Sequence, residues 1–204
     1  MNKDSSAHIQ HLSKDKKMLS LIQTVEPYQL KKRKNICVRL CASIMSQQLS
    51  TRVADVIFKR FLELYDGKEP TAQQIIDTPF DTLRAIGLSN AKVSYVQNVA
   101  KYLLEHNADD KMLNKMSDEE VIAFLTPIKG VGRWTVEMLL MFTLGRPDVF
   151  AIDDLIIQQS MARLYKIDLT DKKGSREKMM KIAAKWSPYR THACFYLWKF
   201  KDSW

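Results

Sequence analysis

The amino-acid sequence predicts an all-α fold, and three observations lead to that prediction. Only 6 glycines and 6 prolines occur in 204 residues, roughly half of the share found in an average globular protein. Apolar residues recur at helical spacing in one segment after another, and no alternating run indicates a central sheet. Hydrophobic residues make up 46% of the chain and aromatic residues 9%, a composition that excludes a disordered chain.

Capping residues and apolar spacings place the helices of the first part of the chain. We expect the first dozen residues, which are polar, to be frayed. A helix over 15–23 follows, with Ser13 as its N-cap, and a second helix spans about 36–44. Ser50 then caps an amphipathic helix that ends at Gly67. Its apolar residues are expected to share one buried face: Val53, Ile57, Phe61 and Leu64.

Similar signals mark the helices that follow. Two capping boxes are present, formed by Thr71 with Gln74 and by Ser117 with Glu120. Ser89 opens a longer helix, and another is expected over 155–164 after a loop. The charged segment 168–178 leads to a further helix, and Pro188 suits the first position of the last one. The sequence thus predicts roughly ten helices.

The charge balance indicates a polyanionic partner. Lys and Arg number 32 against 23 Asp and Glu, which gives a net charge of +9 and a pI of about 9.4. This surplus favours nucleic acid because each neutralised phosphate releases condensed counterions; a generic basic enzyme surface is the alternative. No apolar run approaches the roughly 18 residues of a membrane span, and the N-terminus has no signal-peptide pattern. We therefore expect a soluble intracellular protein with no membrane partner.

Cysteine and histidine spacings predict no metal cofactor. Cys37 and Cys41 lie one helical turn apart and Cys194 is distant, so the three cysteines are too few for a four-thiolate iron–sulfur cluster. The four histidines show no paired spacing with those cysteines that would suit zinc.

The segment 125–135 predicts a phosphate-binding hairpin between two apolar helices. Gly130 and Gly132 allow the backbone to turn sharply and bring successive amides to the surface at the start of the next helix. Lys129 and Arg133 flank these glycines and add positive charge. A tight turn between helices, with incidental charges, is the alternative interpretation.

With its hairpin sequence Leu-Thr-Pro-Ile-Lys-Gly-Val-Gly-Arg-Trp-Thr, the chain resembles the helix-hairpin-helix DNA glycosylase superfamily. Three further motifs follow the family order: the Ser-Gln-Gln-Leu-Ser loop at 46–50, the Asp pair at 153–154, and Lys-Trp-Ser-Pro-Tyr-Arg at 185–190. Their details are most similar to the 3-methyladenine DNA glycosylase II branch. This resemblance covers the chain from about residue 36 to the end.

The resemblance implies two helical lobes with the active site in the cleft between them. One lobe would span about 36–145 and include the helix-hairpin-helix at 118–144, and the other would combine about 1–35 with 146–204. The implied activity is hydrolysis of the N-glycosidic bond of alkylated purines, such as 3-methyladenine and 7-methylguanine, after base flipping in duplex DNA. A glycosylase for another damaged base, or a helix-hairpin-helix protein that binds DNA without catalysis, remains the alternative.

Asp154 is the catalytic residue that the resemblance implies, since the family places its carboxylate at the second position of the Asp pair. An excised base leaves a sugar with positive charge in the transition state, which a carboxylate stabilises. Asp153 would then cap the following helix, although an Asp pair before Leu-Ile-Ile is by itself typical of a helix N-cap. Glu137 is a competing carboxylate, but it lies inside an apolar helix. Trp134 occupies the position of the lysine that performs lyase chemistry in bifunctional relatives, so a monofunctional enzyme is expected.

Trp134, Tyr189 and Met138 fall at positions that form the base pocket in the family. Aromatic faces attract cationic or electron-poor purines. Core packing is the alternative role for each of these three side chains. Trp186 and Trp198 are interpreted as core residues.

The resemblance also implies the groups that contact DNA. Gln48 or Leu49 would be the wedge that fills the gap left by the flipped base. Backbone phosphates would be bound at the hairpin by six residues: Lys129, Gly130, Val131, Gly132, Arg133 and Thr135. A monovalent cation, Na⁺ or K⁺, would be held by the backbone carbonyls of Thr126, Ile128 and Val131.

We expect no other cofactor and no iron–sulfur cluster. The partner is expected to be double-stranded DNA that contains alkylated bases, bound by a monomer. The corresponding location is the cytoplasm, with the nucleoid, in a bacterium, or the nucleus in a eukaryote.

Overall fold

A computed structural model describes residues 3–201 of the chain, with side chains from Ala7 onward, and every regular element in that part is helical. The prediction of an all-α fold is confirmed. Within residues 3–201, no helix is both long and apolar enough to cross a membrane. The described part contains thirteen α-helices: α1 (Lys3–Leu12), α2 (Lys16–Ile22), α3 (Ile36–Ser46), α4 (Thr51–Glu63), α5 (Ala72–Asp77), α6 (Phe80–Ala85), α7 (Asn90–Glu105), α8 (Asp110–Lys115), α9 (Asp118–Leu125), α10 (Arg133–Phe142), α11 (Leu155–Tyr165), α12 (Lys172–Ala183) and α13 (Arg190–Lys201).

The helices group into two compact units. One unit is the continuous segment Lys32–Leu144. The other combines the described residues up to Lys31 with those from Gly145 to Lys201. We call them the continuous unit and the split unit.

Helix α3 is the centre of the continuous unit. It is buried along most of its length and packs against α4, α7 and α10. Asn35 caps it, and the carboxylate of Asp110, at the start of α8, accepts the N–H groups of Asn35 and Ile36 at 2.9 and 3.0 Å. Helix α8 itself has no counterpart in the sequence prediction. The capping boxes at Thr71 and Ser117 both form as predicted.

The apolar pattern of α4 is only partly buried. Ile57 and Phe61 lie in the core, as predicted. Val53, in the first turn, and Leu64, the C-cap, are exposed instead, so only the middle of the pattern is buried. Ser50 takes the N-cap position, although its side chain makes no capping hydrogen bond.

In the split unit, the structure differs from three predictions about where helices lie and which residues cap them. Residues 3–12 form α1 rather than a frayed segment, and the first two residues lie outside the described part. Asp15, not Ser13, caps α2, because its carboxylate accepts the N–H groups of the first turn. The last helix begins at Arg190, two residues after Pro188, which follows a cis peptide bond.

A pair of buried histidines joins α1 to α13 in the split unit. The rings of His8 and His192 stack with their centroids 4.1 Å apart, and both side chains are buried. Burial, reinforced by the neighbouring His8, lowers the pKa of His192 to about 4. The native protein therefore holds His192 in its neutral form.

This depressed pKa predicts that the free energy of unfolding decreases in acid. Between pH 6.5 and about 4 the unfolded chain takes up a proton on His192 that the native state does not, so stability falls as the pH is lowered. The free energy of unfolding should decrease by about 1–2 kcal/mol from pH 7 to pH 5, a value that allows for partial screening by solvent. Urea unfolding at both pH values should show a smaller loss in His192→Gln than in the wild type. An equal loss in the two proteins would contradict the prediction.

Candidate functional site

The hairpin that sequence analysis singles out connects α9 to α10 in the continuous unit. Ile128 and Val131 are buried, and the Val131 N–H donates to the Ile128 carbonyl oxygen at 2.9 Å, which closes the turn. Gly130 has a φ of +100°, which glycine adopts without strain. A Cβ at this position would lie 2.3 Å from Cγ of Tyr95 on α7. The hairpin therefore rests directly on the Tyr95 ring, and only glycine fits there.

Gly132 has a different environment from Gly130. It is the exposed N-cap of α10, with a φ of −93°, and a Cβ there would meet no heavy atom within 4 Å. The first N–H groups of a helix lack partners within it and carry the positive end of its dipole. Together with the exposed Lys129, this end of α10 suits a phosphate group.

Three other predicted phosphate contacts, Val131, Arg133 and Thr135, have polar groups that are engaged within the protein. The Arg133 guanidinium donates from Nη2 to Glu119 at 2.6 Å and from Nε to Glu137 at 3.1 Å. The hydrogen bond to Glu119, followed by the bond to Glu137, raises the pKa of Arg133. Val131 uses its amide to close the turn, and Thr135 is buried. A phosphate would have to compete with these protein partners.

The segment 47–49, which we call the wedge loop, lies between α3 and α4. Gln48 has a φ of +59°, and both Gln48 and Leu49 are exposed, as a wedge requires. Gln47 is partly buried, and its Nε2 donates to the Gly130 carbonyl oxygen at 3.3 Å. The wedge loop is thus tied to the hairpin.

Lys92 on α7 is hydrogen-bonded to the backbone at the start of the wedge loop. Its Nζ donates to the carbonyl oxygens of Met45 and Gln47, at 2.9 and 2.7 Å, and burial lowers the pKa of the Lys92 ammonium. The Gln47 side chain also lies 3.4 Å from the Thr135 hydroxyl, to which it donates. Lys92 and Tyr95 are three residues apart, so one face of α7 carries both the wedge loop and the hairpin. The sequence does not reveal Lys92 and Gln47 in this role, because their partners include backbone carbonyls, which have no sequence signature.

Trp134 and Met138 line a groove of about 340 Å³ in the continuous unit. Phe58, Phe142 and the serines of α3 line it too. Trp134 is 38% exposed, so part of its ring is available for stacking. The volume lies within the range of small-ligand sites. These two predicted pocket residues therefore lie in one cavity.

Asp154 and Asp153 have different environments in the split unit. Asp154 is the N-cap of α11 and is 9% exposed, and its Oδ1 accepts the Ile157 N–H at 2.9 Å. Asp153 is half-exposed and pairs with Arg176. The expectation that Asp153 caps the helix is therefore wrong, because the carboxylate of Asp154 reaches the first turn instead. Of the two, Asp154 is the buried carboxylate held in a fixed position.

Trp198 contacts the predicted catalytic residue, although the sequence suggests a core role. It is only half-buried, and its indole Nε1–H donates to Oδ1 of Asp154 at 3.1 Å. No motif could have revealed this contact, since the two residues lie 44 positions apart. Trp186, by contrast, is 1% exposed and belongs to the core as predicted.

Tyr189 lies in the split unit, just before α13. It is half-buried, and its ring packs edge-on to His11 and His192, with centroids 5.5 and 6.0 Å apart. The next residue, Arg190, donates to both carboxylate oxygens of Asp148 at 2.7 and 3.0 Å. Burial acts to raise the pKa of Asp148, but the bonds from Arg190 and Ser187 bring it below its usual value. This ion pair fixes the loop that carries Tyr189.

Backbone oxygens, rather than side chains, are the candidate ligands for a cation. The Ile128 carbonyl accepts one hydrogen bond, and its second lone pair suits the monovalent cation that the resemblance implies. Within the described side chains, no cluster of three or more His, Cys, Asp or Glu could hold a metal ion.

Comparison with known proteins places these features in a family context. The family model for the HhH-GPD superfamily base excision DNA repair protein matches residues 41–188. DNA-3-methyladenine glycosylase 1 of Schizosaccharomyces pombe is 36% identical over 186 residues, which are 90% of this chain and 80% of that protein.

Two solved structures are similar along most of the chain. The first is the 3-methyladenine DNA glycosylase of Schizosaccharomyces pombe in complex with abasic DNA, with a TM-score of 0.84 and 33% identity over 96% of both chains. The second is the DNA-3-methyladenine glycosidase of Bacillus halodurans, with a TM-score of 0.79 and 31% identity over 95% of this chain and 88% of that chain.

Alanine substitutions at the two hairpin glycines should affect different properties of the protein. Gly130→Ala should lower the thermal stability of the protein, because the new Cβ would overlap Tyr95 and the left-handed φ would be strained. Gly132→Ala should melt like the wild type and should weaken binding to damaged and undamaged duplex alike, because its methyl group would stand where a phosphate approaches. Thermal melting and equilibrium binding test both variants. A stable Gly132→Ala protein with unchanged affinity would contradict the assigned phosphate contact.

Proposed function

The chain belongs to the HhH-GPD superfamily of base excision DNA repair proteins, and we propose that it is a glycosylase that hydrolyses the N-glycosidic bond of alkylated purines in duplex DNA. Similarity to 3-methyladenine glycosylases over nine-tenths or more of the chain supports this substrate class. The observation that carries the enzymatic part is Asp154, a nearly buried carboxylate held by two donors. A protein that only binds DNA has no need of such a group.

In the reaction, the bond between C1′ and the purine nitrogen breaks and its electron pair leaves with the base. Positive charge develops on the sugar, and the Asp154 carboxylate stabilises it electrostatically. The oxygen of a water molecule then bonds to C1′ and releases a proton to the solvent. The products are the free base and an abasic site.

The groove beside Trp134 supports the choice of alkylated purines. Methylation at N3 or N7 makes the base cationic, and an aromatic face attracts a cation by about 0.5–2 kcal/mol. The target base must leave the stack to enter any such cavity. We propose that Trp134, Met138 and Tyr189 contact the flipped base.

The DNA backbone would be bound at the start of α10. Phosphate contacts there supply affinity and position without reading sequence. We assign them to the amides around Gly132 and to Lys129, with Leu49 or Gln48 filling the gap in the base stack. The net charge of +9 would make this binding sensitive to salt.

We further propose that the protein acts as a monomer on duplex DNA and needs no cofactor for the chemistry. The three cysteines of this chain are buried and are too few for a four-thiolate cluster. The carbonyls of Thr126, Ile128 and Val131 would hold a structural Na⁺ or K⁺ at the hairpin. Such an ion would help to fix the turn.

Asp154→Asn should abolish excision and leave the fold and DNA binding nearly intact. Asparagine caps a helix about as well as aspartate, so α11 should persist, but the charge that stabilises the sugar cation is lost. We expect the single-turnover release of 7-methylguanine to fall by roughly 100-fold or more. Asp153→Asn, which removes only an exposed ion pair, is the matched control and should excise normally. A fast Asp154→Asn protein would assign the chemistry to another carboxylate.

The enzyme should leave intact abasic sites, because Trp134 stands where bifunctional relatives have a nucleophilic lysine. A duplex that has released its base should therefore break only after treatment with alkali. Borohydride added during the reaction should trap no covalent protein–DNA complex. A trapped complex would show that an amine of this protein attacks C1′.

A further inference from the structure

Two helices hold the carboxylate of Asp154. Its Oδ1 accepts the Ile157 N–H at 2.9 Å, which is the ordinary bond of a helix N-cap. The same oxygen also accepts the indole N–H of Trp198 at 3.1 Å. Trp198 lies on α13, so this second bond is not part of helix capping.

Packing sets the position of Trp198 relative to Asp154. The Ser160 hydroxyl on α11 donates to the Leu197 carbonyl oxygen on α13 at 2.8 Å, and both residues are fully buried. Leu197 directly precedes Trp198, and Asp154 caps the helix that carries Ser160. The donor Trp198 and the acceptor Asp154 therefore belong to two helices, α13 and α11, whose relative position is fixed by a buried hydrogen bond.

The bond from Trp198 adds a constraint on the carboxylate plane that the N-cap bond does not supply, because the terminal torsion of an aspartate is broad. Stabilisation of a developing charge depends on a group that is already oriented. We propose that Trp198 is a positioning residue, whose indole N–H fixes the plane of the Asp154 carboxylate for its work on the sugar cation. This inference rests on the function proposed for Asp154.

The chain supplies a matched control for the loss of this indole N–H. Trp186 also donates from Nε1 to an aspartate, Oδ2 of Asp15, at 3.3 Å. Asp15 also caps a helix, α2. Trp186→Phe and Trp198→Phe therefore remove the same kind of bond, and only the second affects Asp154.

The test compares these two variants with the wild type in the full chain. Three quantities are measured: single-turnover release of 7-methylguanine with enzyme in excess, affinity for an abasic duplex, and thermal stability. Trp198→Phe should release the base about tenfold more slowly, as expected for a lost hydrogen bond to a charged group, with an affinity within about twofold of the wild type. Trp186→Phe should keep its rate even if its melting temperature falls.

Three results would overturn the role of Trp198 in an active wild-type enzyme. Trp198→Phe could keep more than half of the rate, its rate and affinity could fall together, or Trp186→Phe could lose as much activity. A wild-type protein that releases no alkylated base would instead overturn the proposed function, and the role of Trp198 with it.

The indole resonances provide a measurement that does not depend on the folding of a tryptophan variant. In protein labelled with ¹⁵N-tryptophan, Asp154→Asn should shift the indole N–H signal of Trp198 and leave that of Trp186 in place. Asp15→Asn should do the reverse. An unmoved Trp198 signal would show that the bond does not form in solution and would overturn the proposal.

Discussion

The left-handed turn at Gly130, seated on the ring of Tyr95, is the constraint on which the continuous unit depends. Because no side chain fits between Gly130 and Tyr95, the hairpin backbone packs directly on α7. Lys92, one turn earlier on α7, holds the carbonyls at the end of α3, and Gln47 links that loop to the hairpin. One helix thereby contacts both the hairpin that is proposed to bind phosphate and the backbone of the exposed wedge loop.

Helix capping and the catalysis proposed for Asp154 are compatible roles for one side chain. A carboxylate that accepts an amide of the first turn is fixed close to the positive end of a helix dipole. The same bond limits its motion, which favours a group that must be oriented before the reaction begins. The N-cap role of Asp154 and its proposed catalytic role, which the sequence offers as alternatives, therefore do not exclude each other.

Sequence signals predicted the features that depend on near neighbours. The capping box at Ser117 forms because both of its partners lie within one turn. The sequence suggests Ser13 as the cap of α2, yet Asp15 takes that place, with further bonds to aromatic residues 150 and 171 positions away. Lys92 and Trp198 escaped prediction for the same reason, since their partners lie 45 and 44 positions away in the sequence. The ion pairs of Arg133 with Glu119 and Glu137 were not predicted either, although the phosphate contact predicted for Arg133 stays a prediction.

The division into a continuous and a split unit has a consequence for synthesis on the ribosome. All residues of the hairpin and the wedge loop have been made when Leu144 is added, whereas α13 ends at Lys201. At 5–20 residues per second, the intervening residues take roughly 3–11 s. During that interval, the nascent chain contains the segments assigned to DNA contact but lacks the tryptophan that bonds to Asp154. The residues assigned to holding DNA are therefore made before the tryptophan that donates to the Asp154 carboxylate.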